Sequence, residues 1–498
     1  MTPYHQLEQR FARLAAIEDT IGILQWDTET VMPEGAADLR AESLAALKGI
    51  AHDLLAQPAV AELIVAAEHE AGMLDDWQRA NLREMRRLNL HASAVPRDLV
   101  EANERAVVRA AIIWREARAR SDFAMLAGPL EEVLTLQRRV AEAKGAALGV
   151  APYDALLDDY DSGLRQAMID PVFAALAAAL PDLVARAAAR RERMAAVAMP
   201  TGPFPVEAQR RLGEVLMRAV GFDFSRGRLD VSQHPFCGGA TGDVRITSRY
   251  NENDFLSSLM AILHESGHAL YEQGRPQTWL RQPVGRARGM IIHESQSLLV
   301  EVQAGRSLEF ITYLAPLARD AFAGAGPAWD VGAIHGHLTR VEPSLIRVDA
   351  DPVTYASHII IRYELERAMI AGDLAIADLP AAYDAAIKQR LGLTVPDDRR
   401  GCLQDIHWAT GLWGYFPTYL LGAMAAAQLF DAACRAEPDA RAALARGDFA
   451  PLRDWLRVNI HTRGSLLATD ELMRAATGRP IDAAFYGAHL AARYAAAA

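Results

Sequence analysis

The segment HESGH at residues 264–268 has the residue types and the spacing that a catalytic metal site needs. In an α-helix, His264 and His268 lie one turn apart on the same face, where their imidazoles can bind one zinc ion. Glu265 projects beside them and can take a proton from a water molecule on that ion. The flanking residues are apolar on nearly every side, so the helix is expected to be buried, where histidine and glutamate need partners. The motif therefore predicts a zinc site with Glu265 as the general base.

A third ligand is expected, because catalytic zinc usually has three protein ligands and one open position. A second apolar helical segment, GMIIHESQSLLVEVQ, begins at residue 289 and carries His293 and Glu294. An antiparallel pair of helices would return either residue to the metal. Adjacent residues point about 100° apart on a helix, so only one of them can face the ion. The residues alone leave both candidates open, with a slight preference for the carboxylate, which is costly to bury unless it is paired or ligating.

Two other interpretations of the motif compete with a catalytic site. The histidines could be ordinary core residues with backbone partners, or they could hold a structural metal in a helical scaffold without activity. A purely structural zinc normally has four protein ligands, and such a site gives Glu265 no role. The carboxylate between the two histidines therefore favours catalysis.

The elements that must position these residues are mostly helices. Apolar residues recur every three or four positions through much of the N-terminal part, as in amphipathic helices. Asp170-Pro171 predicts a helix start, with a cap followed by proline at the first helical position. Proline and glycine at 200–203 indicate a break. The helical pattern covers residues 3–25, 37–72, 97–147 and 170–198.

Residues 243–248, DVRITS, alternate between polar and apolar side chains, which predicts a short strand within a small hairpin. Helices are expected to resume at about residue 254 and to continue to the end. The predicted fold is therefore mostly α, with one small β element near the metal site. We expect a single catalytic domain over residues 1–498, with an N-terminal helical part over about 1–200 and a metal-site part over about 201–498.

The composition argues against several classes of protein. The chain has 498 residues, of which 51% are hydrophobic and 23% charged, as in soluble globular proteins. A net charge of −11 repels phosphate backbones, so a nucleic-acid partner is not expected. The three cysteines are far apart and odd in number, which predicts no disulfide framework and fits the cytoplasm. The N-terminus lacks the pattern of a secretory signal, and no apolar run is expected to span a membrane.

Several further segments resemble one family. HPF at 234–236 is followed by DVRIT at 243–247, HESQ at 293–296, IRVDAD at 346–351 and GCLQDIHW at 401–408. These segments resemble, in the same order, the signature blocks of the carboxypeptidase Taq family of zinc metallocarboxypeptidases. LQWDTETVMPEGAADLRAE, at 24–42, is similar to that family as well, so the resemblance covers about residues 20–420.

The resemblance implies that Glu294, and not His293, is the third ligand. It implies a large helical zinc-peptidase fold with a long substrate groove, and a homodimer. The implied activity is the release of single amino acids from the C-termini of peptides, with broad specificity, through attack by a zinc-activated water. The metal is expected to be Zn²⁺, replaceable by Co²⁺ or another divalent ion. A zinc endopeptidase or oligopeptidase on the same fold is the alternative. Leu298 stands where some related zinc enzymes have an aspartate that supports the ligands.

A carboxypeptidase must recognise the free α-carboxylate of its substrate, and arginine can bind a carboxylate through two parallel hydrogen bonds. Arg347 in IRVDAD and Arg245 in DVRIT are the candidates. Each could instead form an ion pair with a neighbouring aspartate. That partner would be Asp243 for Arg245, and Asp349 or Asp351 for Arg347.

Other polar residues in or near these blocks could bind substrate or stabilise the oxyanion that forms during amide hydrolysis. His234 precedes a proline and therefore lies in extended or turn backbone. His407 is flanked by an aspartate and a tryptophan. Tyr415 and Tyr419 follow in an apolar segment, where tyrosine is more often a core residue. Each of the four can equally be structural.

Overall fold

The computed structural model describes residues 1–193 and 199–496, and within them the chain is mostly helical with one three-stranded sheet. This confirms the predicted mostly α fold with one small β element. The chain divides into two compact units, each built from three separated segments. Unit 1 consists of Met1–Ala92, Ala196–Leu338 and Ala425–Ile481, and unit 2 consists of Ser93–Ala195, Thr339–Met424 and Asp482–Ala498.

Helices form most of both units, and short 3-10 turns join many of them. In chain order the helices are α1 (Pro3–Thr30), α2 (Ala37–Ala56), α3 (Pro58–His69), α4 (Asp76–Ser93), α5 (Arg97–Arg120), α6 (Ala124–Leu148), α7 (Pro152–Tyr160), α8 (Gln166–Arg193), α9 (Val206–Val220), α10 (Phe255–Gly274), α11 (Gly289–Leu298), α12 (Leu308–Ala321), α13 (Val331–Leu338), α14 (Tyr355–Ala371), α15 (Leu379–Leu391), α16 (Phe416–Ala436), α17 (Ala440–Leu444), α18 (Ala450–Asn459), α19 (Thr469–Thr477) and α20 (Ala483–Tyr494). α11 continues directly into a π-helical segment, Leu299–Gly305.

The sheet lies in unit 1 and has the strand order β1–β3–β2. The strands are β1 (Gly227–Val231), β2 (Cys237–Ala240) and β3 (Asp243–Ser248). β2 and β3 form an antiparallel hairpin with Cys237 opposite Ile246, and β1 runs parallel to β3 with Gly227 opposite Val244. β3 matches the predicted strand, because the alternation of DVRITS suits a strand with one buried face. The parallel strand β1 is an addition to the predicted hairpin.

One hydrophobic cluster of unit 1 packs α10 against the sheet. Val244 and Ile246, alternate residues of β3, are buried in one cluster with Ile262 and Ala269 of α10, and α9 completes that cluster. α9 approaches closely at Gly213, where a Cβ would lie 2.4 Å from Cδ1 of Ile262. A second cluster joins α1, α3 and α4 and contains Tyr4, Leu7, Phe11, Leu14, Val60, Ile64, Ala67, Leu82 and Met85.

The predicted helix start at Asp170-Pro171 is wrong. α8 begins at Gln166, so the proline lies inside the helix. The backbone amide of Gln166 donates a hydrogen bond to Oδ1 of Asp154 at 2.7 Å, and the Asp170 carboxylate instead accepts one from the Tyr363 hydroxyl at 2.6 Å. Asp154 on α7 therefore binds the amide at the start of α8, and Asp170 binds a residue of α14 and does not cap its own helix. The end of the predicted helix, residues 194–198, lies outside the described residues.

α8 is also an exception to the expectation that no apolar run could span a membrane. Within residues 1–193 and 199–496 it is the one single helix that is long and apolar enough, while the bent pair Glu34–Ala56 and Pro58–His69 passes the same test as a broken span. α8 packs against α20, and its buried residues recur at helical spacing: Ile169, Phe173, Leu176, Leu180, Leu183 and Ala187.

Candidate metal centre

The two histidines of HESGH lie on one face of α10, which is buried along nearly its whole length. The helix begins after Asp254, whose side chain accepts a hydrogen bond from the first turn. It ends two residues before Pro276, because the residue that precedes a proline disfavours helical backbone. The ring centroids of His264 and His268 are 5.0 Å apart, as one helical turn requires.

α10 and α11 approach each other closely at Gly267, the residue before His268. A Cβ at this position would lie 2.4 Å from the carbonyl oxygen of Gln296 and 2.6 Å from the Cα of Ser297. Because glycine has no side chain, the two helix backbones can come into contact here. This contact brings Glu294, on α11, next to the histidines of α10.

Three side chains form the candidate metal site: His264, His268 and Glu294. One ligand atom of each lies within 4.8 Å of the other two. Nε2 of His264 is 3.9 Å from Oε1 of Glu294, and Nε2 of His268 is 3.7 Å from Oε2. A tetrahedral ion with bonds of about 2.0–2.1 Å separates its ligands by roughly 3.3–3.4 Å. Small side-chain movements would therefore fit the three residues to such an ion.

His264 is oriented by Glu301. Nδ1 of His264 donates a hydrogen bond to Oε2 of Glu301 at 3.0 Å, which leaves the lone pair of Nε2 available for the metal. Glu301 lies in the π-helical segment, seven residues beyond Glu294, and also pairs with Arg306. π-Helical turns are rare in proteins, and those that do occur are often found at functional sites. Glu301, and not position 298, thus supplies the orienting carboxylate.

His268 is held by a chain of polar side chains that begins at His293. The Nδ1 atoms of His268 and His293 are 2.7 Å apart, and Nε2 of His293 is 3.0 Å from Oε1 of Glu272. Arg275 pairs with the same glutamate at 3.2 Å. Because an ionised carboxylate can only accept, His293 carries its proton on Nε2 and accepts from His268 at Nδ1. Nε2 of His268 then has a free lone pair on the side of Glu294.

The charges around the histidines suit a divalent cation. Burial lowers the pKa of His268 well below its usual range, and His293 and His264 add to the effect, so the imidazole is neutral, as metal binding requires. Burial also lowers the pKa of His264, but Glu301 and the charges of Glu294 and Glu265 outweigh it and raise that pKa to about 10, so a metal ion would have to displace the proton on Nε2. The site therefore has an excess of negative charge, which a metal ion would offset.

Glu265 is buried within the same helix and has an unusually high pKa. Burial raises the pKa of Glu265 to about 7; the charge of His264 opposes this effect and that of Glu294 adds to it. A carboxyl group that titrates near neutrality can both accept a proton and return it. These properties suit a general base.

Arg347 lies in unit 2 and pairs with Asp405, not with Asp349 or Asp351. Nε and Nη2 of Arg347 are 3.1 Å and 2.8 Å from Oδ1 of Asp405, and the guanidinium carbon lies 5.2 Å from the ring centroid of Tyr419. Burial lowers the pKa of Arg347, but Asp405 outweighs this effect and raises it above its ordinary value. Arg347 is therefore a permanently charged group beside an aromatic ring.

His407, Tyr415 and Tyr419 lie together in unit 2. Nε2 of His407 is 3.4 Å from the hydroxyl of Tyr419, and the ring centroids of the two tyrosines are 5.0 Å apart. Burial lowers the pKa of His407 to about 4 although Asp405 opposes it, so the imidazole is neutral at physiological pH. With Arg347 beside Tyr419, four of the predicted substrate-binding residues form one cluster.

Arg245 and His234 lie in unit 1, near the sheet. Arg245 pairs with Asp243, two residues earlier on the same face of β3, with Nη2 2.5 Å from Oδ2. Its guanidinium carbon lies 4.2 Å from the ring centroid of Trp26 on α1. The structure thus contains the local ion pair that the sequence offers as an alternative to substrate binding. His234 is exposed in the connection between β1 and β2.

The sequence reasoning missed Glu301, Glu272 and the orienting role of His293. Signals for the two glutamates were present. Glu301 lies seven residues beyond Glu294, about two helical turns along the same face, and Glu272 lies four residues beyond His268. Both occur in apolar segments, where a carboxylate needs a partner.

Fold and site together define a mostly helical metallopeptidase. The sequence profile described as Carboxypeptidase Taq (M32) metallopeptidase matches residues 6–494. Thermostable carboxypeptidase 1 of Thermus thermophilus is 39% identical over 510 residues, which cover 100% of this chain and 99% of that protein. Trypanosoma cruzi metallocarboxypeptidase 1 has a solved structure with a TM-score of 0.97 at 39% identity, covering 99% of both chains. For Pyrococcus furiosus carboxypeptidase Apo-Mg the TM-score is 0.94 at 31% identity, again over 99% of both chains.

The chain belongs to the carboxypeptidase Taq (M32) metallopeptidase family, as its signature blocks predict. It is a carboxypeptidase, a hydrolase that acts on peptides. Membership implies a divalent metal, and His264, His268 and Glu294 have the donor atoms and the spacing to hold one.

Proposed function

We propose that the protein is a zinc carboxypeptidase that releases single amino acids from peptide C-termini with broad specificity. The observation that carries the proposal is the convergence of His264, His268 and Glu294. The charges of His264 and Glu294 act directly on Glu265. Two imidazole nitrogens and one carboxylate are typical of catalytic zinc with an open position, whereas Mg²⁺ prefers oxygen ligands. Co²⁺ or another divalent ion could replace zinc, because nitrogen and oxygen sites discriminate poorly between such ions.

A divalent ion, when bound, polarises a carbonyl oxygen and lowers the pKa of a coordinated water. Glu265 takes a proton from the attacking water and later passes it to the leaving amine. Glu301 and His293 keep the Nε2 atoms of the two ligand histidines directed at the metal position. The burial of these side chains strengthens the electrostatic interactions among them.

We assign recognition of the substrate α-carboxylate to Arg347. Its support is a buried guanidinium that Asp405 holds in one orientation. His407, Tyr415 and Tyr419 adjoin it and can contact the substrate backbone or the oxyanion. The second candidates are Arg245 and His234. The guanidinium of Arg245 already binds the neighbouring Asp243, and His234 is exposed.

We further propose a cytoplasmic homodimer without a nucleic-acid or membrane partner, in which the whole chain acts as one catalytic domain. The homodimer rests on the family resemblance alone. The net charge of −11 supports the lack of a nucleic-acid partner. Free thiols at Cys237, Cys402 and Cys434 support a reducing compartment.

Digestion of defined peptides followed by mass spectrometry tests the proposal. The peptides carry free or amidated C-termini and are incubated with and without a chelator, and metal analysis of the isolated protein identifies the ion. We expect stepwise loss of single residues from free C-termini, abolished by the chelator and restored by Zn²⁺. Internal cleavage of amidated peptides would instead indicate the zinc endopeptidase or oligopeptidase, and full activity without metal would contradict the proposal.

A further inference from the structure

A fully buried ion pair lies directly before the helix that carries Glu294. Arg288 is the last residue before α11, and its Nη1 donates a hydrogen bond to Oε1 of Glu84, on α4, at 2.9 Å. The side chains of Arg288 and Glu84 are 2% and 6% exposed. The half-exposed Arg83 also pairs with Oε1 of Glu84, at 3.2 Å, from the surface side. Both residues belong to unit 1, and Arg288 precedes Glu294 by six positions.

Arg288 is also attached to α10, which carries the two histidines. Its backbone amide donates a hydrogen bond to the hydroxyl of Tyr271 at 2.8 Å. Tyr271 is fully buried, lies three residues beyond His268, and has its ring centroid 5.7 Å from that of His293. Arg288 therefore joins the start of α11 to α4 through its side chain and to α10 through its backbone.

A second residue on the same face of α4 binds the segment that precedes Arg288. Asn81, about one helical turn before Glu84, is fully buried. Its Oδ1 accepts a hydrogen bond from the amide of Val284 at 3.2 Å, and its Nδ2 donates one to Oε1 of Gln282 at 3.1 Å. Polar groups of α4 thus bind the connection before α11 at several positions.

Stability alone does not account for a pair that is buried so completely. Removing two charges from water is costly, and replacing a buried ion pair with apolar side chains is often neutral or stabilising. A guanidinium and a carboxylate do impose a defined geometry on each other. Geometry matters at this point, because adjacent helical residues differ by about 100°. A shift of α11 by one residue would turn Glu294 away from the histidines and bring His293 toward the metal position.

We propose that the Glu84–Arg288 ion pair, together with Tyr271, positions Glu294 as the third metal ligand. Glu84 and Arg288 are positioning residues, since they act through the rotation and the axial position of α11. The inference rests on the proposed metal site, but it concerns side chains that take no part in the chemistry.

Zinc affinity of the full chain, measured by competition with a chromophoric chelator, tests the inference. The paired variant Glu84→Leu/Arg288→Met replaces both buried charges with apolar side chains, whereas Glu84→Leu alone would keep the buried Arg288 charge and remove the carboxylate that it binds. We expect the paired variant to bind zinc roughly tenfold or more weakly, with a melting temperature of the metal-free protein close to that of the wild type. Lys144→Met is the control, because it removes a partly buried ion pair with Asp159 in unit 2.

The visible spectrum of the Co²⁺-loaded protein gives a readout that a merely structural role would not change. Its bands depend on the ligand atoms, so exchanging the Glu294 oxygen for a His293 nitrogen, or losing the oxygen, would shift them. We expect a shifted spectrum for Glu84→Leu/Arg288→Met and a wild-type spectrum for Lys144→Met.

Wild-type zinc affinity together with a wild-type cobalt spectrum in the paired variant would overturn the inference. If the paired variant does not fold, Tyr271→Phe decides by the same two measurements, because it removes the acceptor of the Arg288 amide and keeps the ring. Several-fold weaker zinc binding by Tyr271→Phe would support the inference, and unchanged binding would overturn it. A different result would show that the proposed metal site itself is wrong: His264→Ala would then bind zinc as tightly as the wild type does.

Discussion

The Nδ1 atom of His268 lies 2.7 Å from the Nδ1 atom of His293. His293 is the residue that competes with Glu294 for the third ligand position when only the sequence is considered. In the structure it supports a ligand, because it accepts a hydrogen bond from His268 and donates one to Glu272. With a metal ion on Nε2 of His268, Glu272 and His293 would form the carboxylate–histidine support that ligand histidines usually have, extended by one imidazole.

Replacing His293 with phenylalanine should weaken metal binding. Phenylalanine keeps an aromatic ring but cannot accept the proton of His268 Nδ1, so the ligand imidazole loses its orientation. We expect a loss of roughly 10- to 100-fold in zinc affinity, measured by chelator competition. Glu301→Gln weakens the corresponding support of His264 and should also reduce the affinity. Wild-type affinity in both variants would contradict the orienting roles.

Gly267→Ala should destabilise the protein and lower its metal content. Alanine is favoured over glycine in helices by up to about 1 kcal/mol, so a purely local effect would be stabilising. The new Cβ would instead meet the backbone of Gln296 at 2.4 Å, which can yield only if α11 moves. We expect a net destabilisation of about 1–3 kcal/mol in thermal or urea unfolding.

Gly49→Ala is the matched control for Gly267→Ala. Gly49 lies within α2, and a Cβ there meets nothing within 4 Å among residues 1–193 and 199–496. This control should be neutral or slightly more stable than the wild type. If the two alanine variants were equally stable and bound equal amounts of metal, close contact between α10 and α11 would not explain the glycine.

Glu265→Gln should retain the metal and lose turnover. Glutamine keeps the size of the side chain but cannot take a proton from water, and general bases typically contribute roughly 100- to 10,000-fold to a rate. Elemental analysis should find the wild-type metal content, while kcat falls by at least about 100-fold. Near-normal activity of this variant would show that another group is the base.

Arg347→Ala should impair hydrolysis of substrates with a free C-terminus more than that of amidated ones. Hydrogen bonds to a charged group contribute about 1.5–3 kcal/mol, so kcat/KM should fall roughly 10- to 100-fold for the free carboxylate. Arg347→Lys retains the charge beside Asp405 without the planar fork, and Arg245→Ala tests the second candidate. Equal losses on both substrate types would remove Arg347 from carboxylate recognition.

Glu366 should make the stability of the protein depend on pH. This carboxylate, in α14, is fully buried and accepts hydrogen bonds from the Tyr153 hydroxyl at 3.2 Å, Trp408 Nε1 at 3.0 Å and the amide of Gly414. Burial raises the pKa of Glu366 to about 7, although the three donors lower it. The folded state thus binds this proton more tightly than the unfolded state does.

When the pKa of a carboxyl group is higher in the folded state than in the unfolded state, the protein becomes less stable as the pH rises from the lower pKa to the higher one. For Glu366 that interval runs from 4.5 to about 7. The free energy of unfolding of the wild type, relative to that of Glu366→Gln, should therefore fall by on the order of 3 kcal/mol across it. Urea unfolding of the metal-free proteins at several pH values measures this difference, and a constant value would rule the effect out.

The local features of this protein follow from its sequence. The spacing of His264 and His268 predicts a shared helix face because every helix has nearly the same period. The alternation in DVRITS likewise predicts β3, and helical periodicity predicts much of the remaining architecture. These rules act within one element, so they need no knowledge of the rest of the chain.

Tertiary packing decides which separate elements meet, and in which rotation. Arg347 pairs with an aspartate 58 residues away, although two aspartates are closer in sequence. Asp170 does not cap α8, because the amide at the start of that helix binds Asp154 on α7, and the Asp170 carboxylate accepts a hydrogen bond from Tyr363. At the site, the close backbone contact at Gly267 turns Glu294 toward the paired histidines and leaves His293 to support one of them. The sequence alone specified the residue types and their periodicity, whereas the rotation of α11 against α10 depends on contacts between residues far apart in the chain.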